Sequence, residues 1–64
     1  MTSQRKALSI AGLEAVYDEL AGAIDQAGTD KSELFLVKLA LLNADALGDA
    51  ERFRHHVQVA LQDL

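Results

Sequence analysis

The segment Leu34–Leu47, with the sequence LFLVKLALLNADAL, constrains the fold more than any other part of this chain. Only Lys38, Asn43 and Asp45 interrupt its apolar residues, and it contains neither Gly nor Pro. At about 100° per residue, the apolar side chains of such a helix cover almost its whole circumference. A helix of this kind must be covered by protein or lie in a membrane. Because a membrane span needs about 20 apolar residues, the segment predicts a helix that protein covers.

The rest of the chain is too short to cover the apolar helix on all sides. The sequence has 64 residues, which predicts one domain over residues 9–64 behind a flexible N-terminal arm over residues 1–8. A domain of this size is marginally stable, and disulfides, metals or oligomerisation usually support it. The sequence contains no Cys, so disulfides and thiolate ligands are excluded. We therefore expect self-association or a permanent protein partner.

The composition narrows the classes of function. Hydrophobic residues make up 50% of the sequence and charged residues 25%, which is typical of a folded domain. The net charge of −4 disfavours a nucleic-acid binder, because such a protein needs a basic surface to neutralise phosphates. Arg5 and Lys6 are not followed by the apolar stretch of a secretory signal. We expect a cytoplasmic protein with no nucleic-acid partner and no membrane partner.

The pattern of residues predicts an all-α fold. The sequence contains no Pro and only three aromatic residues, which favours helices over strands. We predict three short helices over about residues 9–27, 31–47 and 50–63. The connections between them are short, so successive helices should pack as neighbours in a small helical hairpin or bundle that oligomerisation completes.

Four residues mark the predicted ends of these helices. Ser9 and Asp49 are predicted N-caps, because their side-chain oxygens can accept hydrogen bonds from free amides of the first turn. Gly28 and Gly48 are predicted to end the first two helices in a left-handed conformation, which costs glycine little. Four of the six predicted helix boundaries therefore have a local chemical reason.

Two of the helices carry a single apolar stripe each, and these stripes define the predicted core. The core-facing residues are predicted to be Ile10, Leu13, Tyr17, Leu20, Ile24 and Ala27 in helix 1, and Ala50, Phe53, Val57, Ala60, Leu61 and Leu64 in helix 3. Helix 2 has more apolar surface than these two stripes can cover. We therefore predict a homo-oligomer, either a two-fold dimer or a dimer of dimers.

The predicted contact between copies is built around helix 2. It comprises Leu34, Phe35, Leu41, Leu42 and Phe53. Lys38 and Asp45 lie within the apolar segment and cannot be buried there without a partner. They are expected to line an exposed edge of helix 2, or to meet charges from helix 1 or from a second subunit.

Helix 1 carries a second candidate surface, which is acidic. Residues 9–28 contain four acids and no base, and Glu14, Asp18 and Asp25 share one helical face. This face is predicted to attract a basic partner, or else to be an ordinary solvated face. Carboxylate catalysis is the third alternative, but it needs a cleft that desolvates one carboxylate of a pair.

The remaining polar residues do not predict an enzyme. Adjacent helical residues point about 100° apart, so His55 and His56 cannot chelate one metal ion together. Surface histidines are the simpler interpretation, and a metal site between subunits is the weaker alternative. The serines and threonines lie in cap or arm positions, and no glycine-rich phosphate loop is present. We expect no catalytic residue, no metal and no cofactor.

One stretch of the sequence resembles a known signature. Residues 38–49, KLALLNADALGD, are similar to the basic residue, leucine-rich run and Gly-Asp of a family of small bacterial proteins, domain of unknown function 2783. The matching residues are Lys38, Leu39, Leu41, Leu42, Ala44, Gly48 and Asp49. Asn43 and Asp45 depart from it, where the family tends to have Leu and Asn. Upstream, residues 15–20, AVYDEL, look like the family's Ala-Phe-Tyr-x-x-Leu, with Val16 in place of the aromatic.

The resemblance covers roughly residues 13–61 and implies a small, helical bacterial protein with no assigned activity. Such proteins are often encoded near catabolic oxidoreductases, which implies an accessory role. Our main hypothesis is a non-catalytic homo-oligomer that acts as an accessory or protein-interaction module. The alternative is an obligate small subunit of a catabolic oxidoreductase complex. A regulator is a weaker rival, since no helix has the basic face of a recognition helix.

Overall fold

A computed structural model describes residues 7–64 of the chain and has three helices in that range. Helix α1 is Ile10–Ala27, α2 is Ser32–Leu47 and α3 is Ala50–Leu61. The predicted all-α fold of three short helices is therefore confirmed. The boundaries differ slightly from the prediction: α1 and α2 each begin one residue later, and α3 ends two residues earlier.

The N-terminal ends of α1 and α3 are fixed by short side chains, as predicted. The Ser9 hydroxyl accepts a hydrogen bond of 2.9 Å from the Gly12 amide. The Asp49 carboxylate accepts one of 3.1 Å from the Arg52 amide. Each bond satisfies an amide that has no partner inside the helix, and a cap of this kind is typically worth about 1 kcal/mol.

Two glycines follow the C-terminal ends of α1 and α2. Gly28 has a φ of 82° and Gly48 a φ of 72°, and both values lie where a β-carbon is unfavourable. The Gly28 amide donates to the Ile24 carbonyl at 3.0 Å, and the Gly48 amide donates to the Ala44 carbonyl at the same distance. The predicted positive φ is confirmed at both positions, although the ψ of 165° at Gly28 places it outside the left-handed helical region.

The end of α3 shows why the predicted helix over 50–63 was too long. Gln62 has an extended backbone, with a φ of −74° and a ψ of 142°, and its amide donates to the Val59 carbonyl at 3.1 Å. Asp63 has a φ of 58°, a value that Asp tolerates better than most residues. The spacing of hydrophobic residues did not predict this helix end, because the helix ends where the backbone of Gln62 becomes extended and not where the apolar residues stop.

The described residues fall into two compact units, one that ends at Ser32 and one over Glu33–Leu64. In the first unit, the half-buried side chains of α1 lie mainly in its C-terminal half, at Leu20, Ala23, Ile24 and Ala27. Most of the predicted arm over residues 1–8 lies outside the described residues. The prediction of one domain over residues 9–64 stays a prediction.

The prediction that the first half of the α1 stripe is buried was wrong. Ile10, Leu13 and Tyr17 are 77%, 55% and 70% exposed, so Tyr17 is not a core residue in this chain. The spacing predicted the apolar face of α1 correctly, but it cannot tell how far along that face a cover extends. The apolar residues of the first turns are therefore available for contact.

In the second unit, α2 has a half-buried side made of Phe35, Leu39, Ala40, Ala44 and Leu47. On α3 only Phe53 is half-buried, and the predicted core positions Ala50, Val57, Ala60, Leu61 and Leu64 are exposed. No residue between 7 and 64 reaches the burial of a core residue. Neither unit, taken by itself, therefore has the closed core that stabilises most domains.

Candidate functional site

The main candidate site is the exposed face of α2, formed by Leu34, Lys38, Leu41, Leu42 and Asp45. At about 100° per residue, these five positions fall within an arc of about 100°. All five side chains are exposed, and the three leucines are 57%, 64% and 69% exposed. Leucines flank the line of the two charged residues on both sides. We call this surface the α2 face.

Two residues of the predicted contact between copies are less exposed than its three leucines. Phe35 is half-buried and lies beside Leu42, at the margin of the α2 face. Phe53 is half-buried on α3. The structure thus groups Leu34, Leu41 and Leu42 on one face and does not add the two phenylalanines to it.

The two charges of the α2 face are too far apart to pair along their own helix. Lys38 and Asp45 are separated by seven residues, which corresponds to about 10.5 Å along the axis at 1.5 Å per residue. Side chains of one helix meet at spacings of three or four residues, so a spacing of seven does not give a regular intrahelical pair. Both side chains are exposed, as predicted for an edge of helix 2.

A second candidate surface lies at the N-terminal half of α1. A shallow, open depression there is lined by Ile10, Leu13, Glu14, Tyr17 and Asp18. All of these residues belong to one helix, so the depression is a patch of helix surface and not a closed cavity. Its centre is apolar and its margin is acidic. We call it the α1 patch.

The predicted acidic face of α1 borders this patch. Glu14, Asp18 and Asp25 are exposed and fall within an arc of about 40°. The predicted core included Ile10 and Tyr17, so the acids and the apolar stripe were predicted as two separate features of α1. The missed signal is their order around the helix: Ile10 and Tyr17 directly neighbour Glu14, with no neutral polar side chain between them.

His55 and His56 lie side by side on α3, and their geometry is that of separate side chains. Their ring centroids are 6.4 Å apart and the ring planes are inclined by 55°. In residues 7–64, no group of three or more metal-ligating side chains is brought together. Within the same range, none of the helices combines the length and the apolarity that crossing a bilayer requires.

Comparison of the chain with models of known protein families, with curated proteins and with solved structures gave no match. The similarity of residues 38–49 to domain of unknown function 2783 therefore stays a prediction. Any functional argument depends on the two surfaces described above.

Proposed function

We propose that this chain is a non-catalytic helical protein that binds a second copy of itself through the α2 face and acts as an accessory or interaction module. The observation that carries this proposal is the exposure of Leu34, Leu41 and Leu42 on one side of a helix. Contiguous exposed apolar surface marks interaction sites in soluble proteins. Self-association gives this face a cover that needs no other gene product.

The free energy available from the α2 face supports a stable contact. Full burial of one leucine side chain is worth roughly 1.5–3 kcal/mol relative to full exposure. Three leucines from each of two copies, already partly covered, supply several kcal/mol toward association. This gain acts against the cost of association, and charge complementarity across the contact adds to it.

The α1 patch supports the second part of the proposal, contact with another protein. Tyr17 offers a large apolar ring with a polar end, a combination that is enriched at binding interfaces. Glu14 and Asp18 supply negative charge along one margin of the patch, and Asp25 continues this acidic line toward the C-terminal end of α1. This arrangement fits a partner with an apolar centre and a basic rim. The acidic charges would raise the rate of association more than the affinity.

The layout of the carboxylates supports a non-catalytic role. Acid–base catalysis by two carboxylates needs one of them to be desolvated so that their pKa values separate. Glu14, Asp18 and Asp25 all lie exposed along a single helix. A helix surface of this kind is suited to long-range attraction of a partner.

Measuring the molar mass of the purified chain by light scattering, at concentrations from below micromolar to millimolar, tests self-association. We expect twice the mass of one chain at micromolar concentration and above. The mass of one chain over the whole range would contradict the proposal. A chain that stays unfolded or aggregated until it is produced with a second protein would favour the alternative, an obligate subunit of a catabolic oxidoreductase complex.

A further inference from the structure

The charges of the α2 face are placed symmetrically about its two most exposed leucines. Lys38 lies three and a half residues before the midpoint between Leu41 and Leu42, and Asp45 lies three and a half residues after it. All four side chains are exposed on this one face. Because the two charges have opposite signs, the face is complementary to a copy of itself turned end over end.

We infer that two copies pack their α2 helices antiparallel, with a two-fold axis between Leu41 and Leu42. This inference rests on the proposed self-association. In this contact, Lys38 of each copy lies opposite Asp45 of the other. Leu41 and Leu42 of both copies meet at the centre, and an intersubunit ion pair closes the contact on either side.

Charge complementarity selects this arrangement over a parallel one. In a parallel pair, Lys38 would face Lys38 of the other copy, and Asp45 would face Asp45. Like charges placed opposite each other disfavour an arrangement, and charges beside an apolar helix contact commonly set its orientation. The leucines therefore supply the affinity, and Lys38 and Asp45 set the direction.

Reversing each charge separately tests the ion pairs. Lys38→Asp gives a homodimer with acids facing acids at both ends, and Asp45→Lys gives one with lysines facing lysines. We expect the dissociation constant of each variant homodimer to rise at least about tenfold. An equal mixture of the two variants restores opposite charges at both ends. We expect it to form a heterodimer with wild-type affinity, within about threefold.

The double variant Lys38→Asp/Asp45→Lys should also regain wild-type affinity, because it exchanges the two charges without changing their pairing. Arg54→Asp and Glu19→Lys are matched controls, since they make the same kind of charge reversal at exposed positions on α3 and α1, outside the α2 face. Salt gives a further readout: it should weaken the wild-type dimer and strengthen the two variant homodimers, because it screens attraction and repulsion alike.

Cysteine cross-linking tests the direction of the helices independently. The natural chain contains no Cys, so one introduced Cys reports on a single position. In the antiparallel contact, the two copies of Leu41→Cys lie beside the two-fold axis, within reach of a disulfide. The two copies of Leu34→Cys are separated by about 22 Å along the axis at 1.5 Å per residue and should not cross-link. A parallel contact would cross-link both variants.

The outcomes separate this inference from the proposed function. A wild-type chain that is monomeric at all concentrations would overturn both. A wild-type dimer whose affinity does not respond to the charge reversals, or that cross-links through Leu34→Cys, would overturn the antiparallel contact alone. Weakened single variants, a restored mixture and cross-linking only through Leu41→Cys would support it.

Discussion

Helices α1 and α2 both leave large apolar side chains exposed, but their charges differ. The exposed apolar residues of α1 lie beside acids only, since residues 9–28 contain no base. The exposed leucines of α2 lie between one base and one acid, Lys38 and Asp45. Two copies of the α1 patch brought together can form no pair of unlike charges. Two copies of the α2 face can oppose unlike charges.

This difference shows how charge placement decides what can cover an apolar surface. Burial of leucine or tyrosine is favourable against almost any apolar partner, so it does not select one. Charges that face each other across a contact do select the partner, because like charges placed opposite each other disfavour the contact. We therefore propose a second copy of this chain for the α2 face, and a different, basic partner for the α1 patch.

The largest expected effect comes from a charge placed at the centre of the α2 face. Leu41→Glu, or equally Leu42→Glu, should raise the dissociation constant more than about a hundredfold or prevent folding, since an unpaired buried carboxylate costs roughly 3–5 kcal/mol. Sedimentation equilibrium measures the constant, and circular dichroism reports whether helix remains.

Two matched variants locate this effect. Leu64→Glu makes the same change at a leucine that is 98% exposed, and Leu13→Glu makes it in the α1 patch. Both should leave the dissociation constant nearly unchanged. If Leu13→Glu dissociated the oligomer as strongly as Leu41→Glu, the α1 patch would belong to the contact between copies, and the distinction between the two helices would be wrong.

A smaller effect separates two glycines, one within α1 and one at the end of α2. Gly48 follows α2 with a φ of 72°, so Gly48→Ala should lower the free energy of unfolding by about 1 kcal/mol. Gly22 lies within α1, and a β-carbon there would meet no atom within 4 Å. Gly22→Ala should raise the free energy of unfolding by up to about 1 kcal/mol. Denaturation at one fixed protein concentration measures the free energy of unfolding of both variants. Equal changes in the two variants would mean that α2 does not end before Gly48 or that α1 does not continue through Gly22.

The smallest effect on self-association is expected from the acidic face of α1. Replacing Glu14, Asp18 and Asp25 together with Lys should change the dissociation constant of the homodimer less than about threefold, since these residues lie outside the α2 face. The same variant should lose salt-sensitive binding of basic proteins in a pull-down at low and high salt. Identical binding by wild type and variant would exclude α1 as the partner surface.

The features that depend on neighbouring residues were predictable from the sequence. Ser9, Asp49 and Gly48 fix helix ends through hydrogen bonds or backbone angles within a few residues, and the structure places them as predicted. Burial depends on elements distant in the sequence, so it was predicted less well. The apolar spacing gave the correct face of α1 but not the exposure of Tyr17.

The candidate site shows the same limit. The sequence separates Lys38 and Asp45 by seven residues, which was enough to predict one polar line on helix 2. It could not tell which of the surrounding apolar residues remain exposed. In the structure Phe35 is half-buried, whereas Leu41 and Leu42 are exposed on the α2 face. With this exposure known, the symmetric placement of Lys38 and Asp45 about Leu41 and Leu42 becomes visible.

The central claim is that a second copy of this chain covers the α2 face. An isotope-filtered NOE spectrum of an equal mixture of ¹³C-labelled and unlabelled chain observes only contacts between copies, and so tests this claim directly. We expect cross-peaks from the methyl groups of Leu41 and Leu42 to the same leucines of the other copy, and from Lys38 to the β-protons of the other copy's Asp45. A spectrum of the folded chain at millimolar concentration with no filtered cross-peak from α2 would contradict the claim.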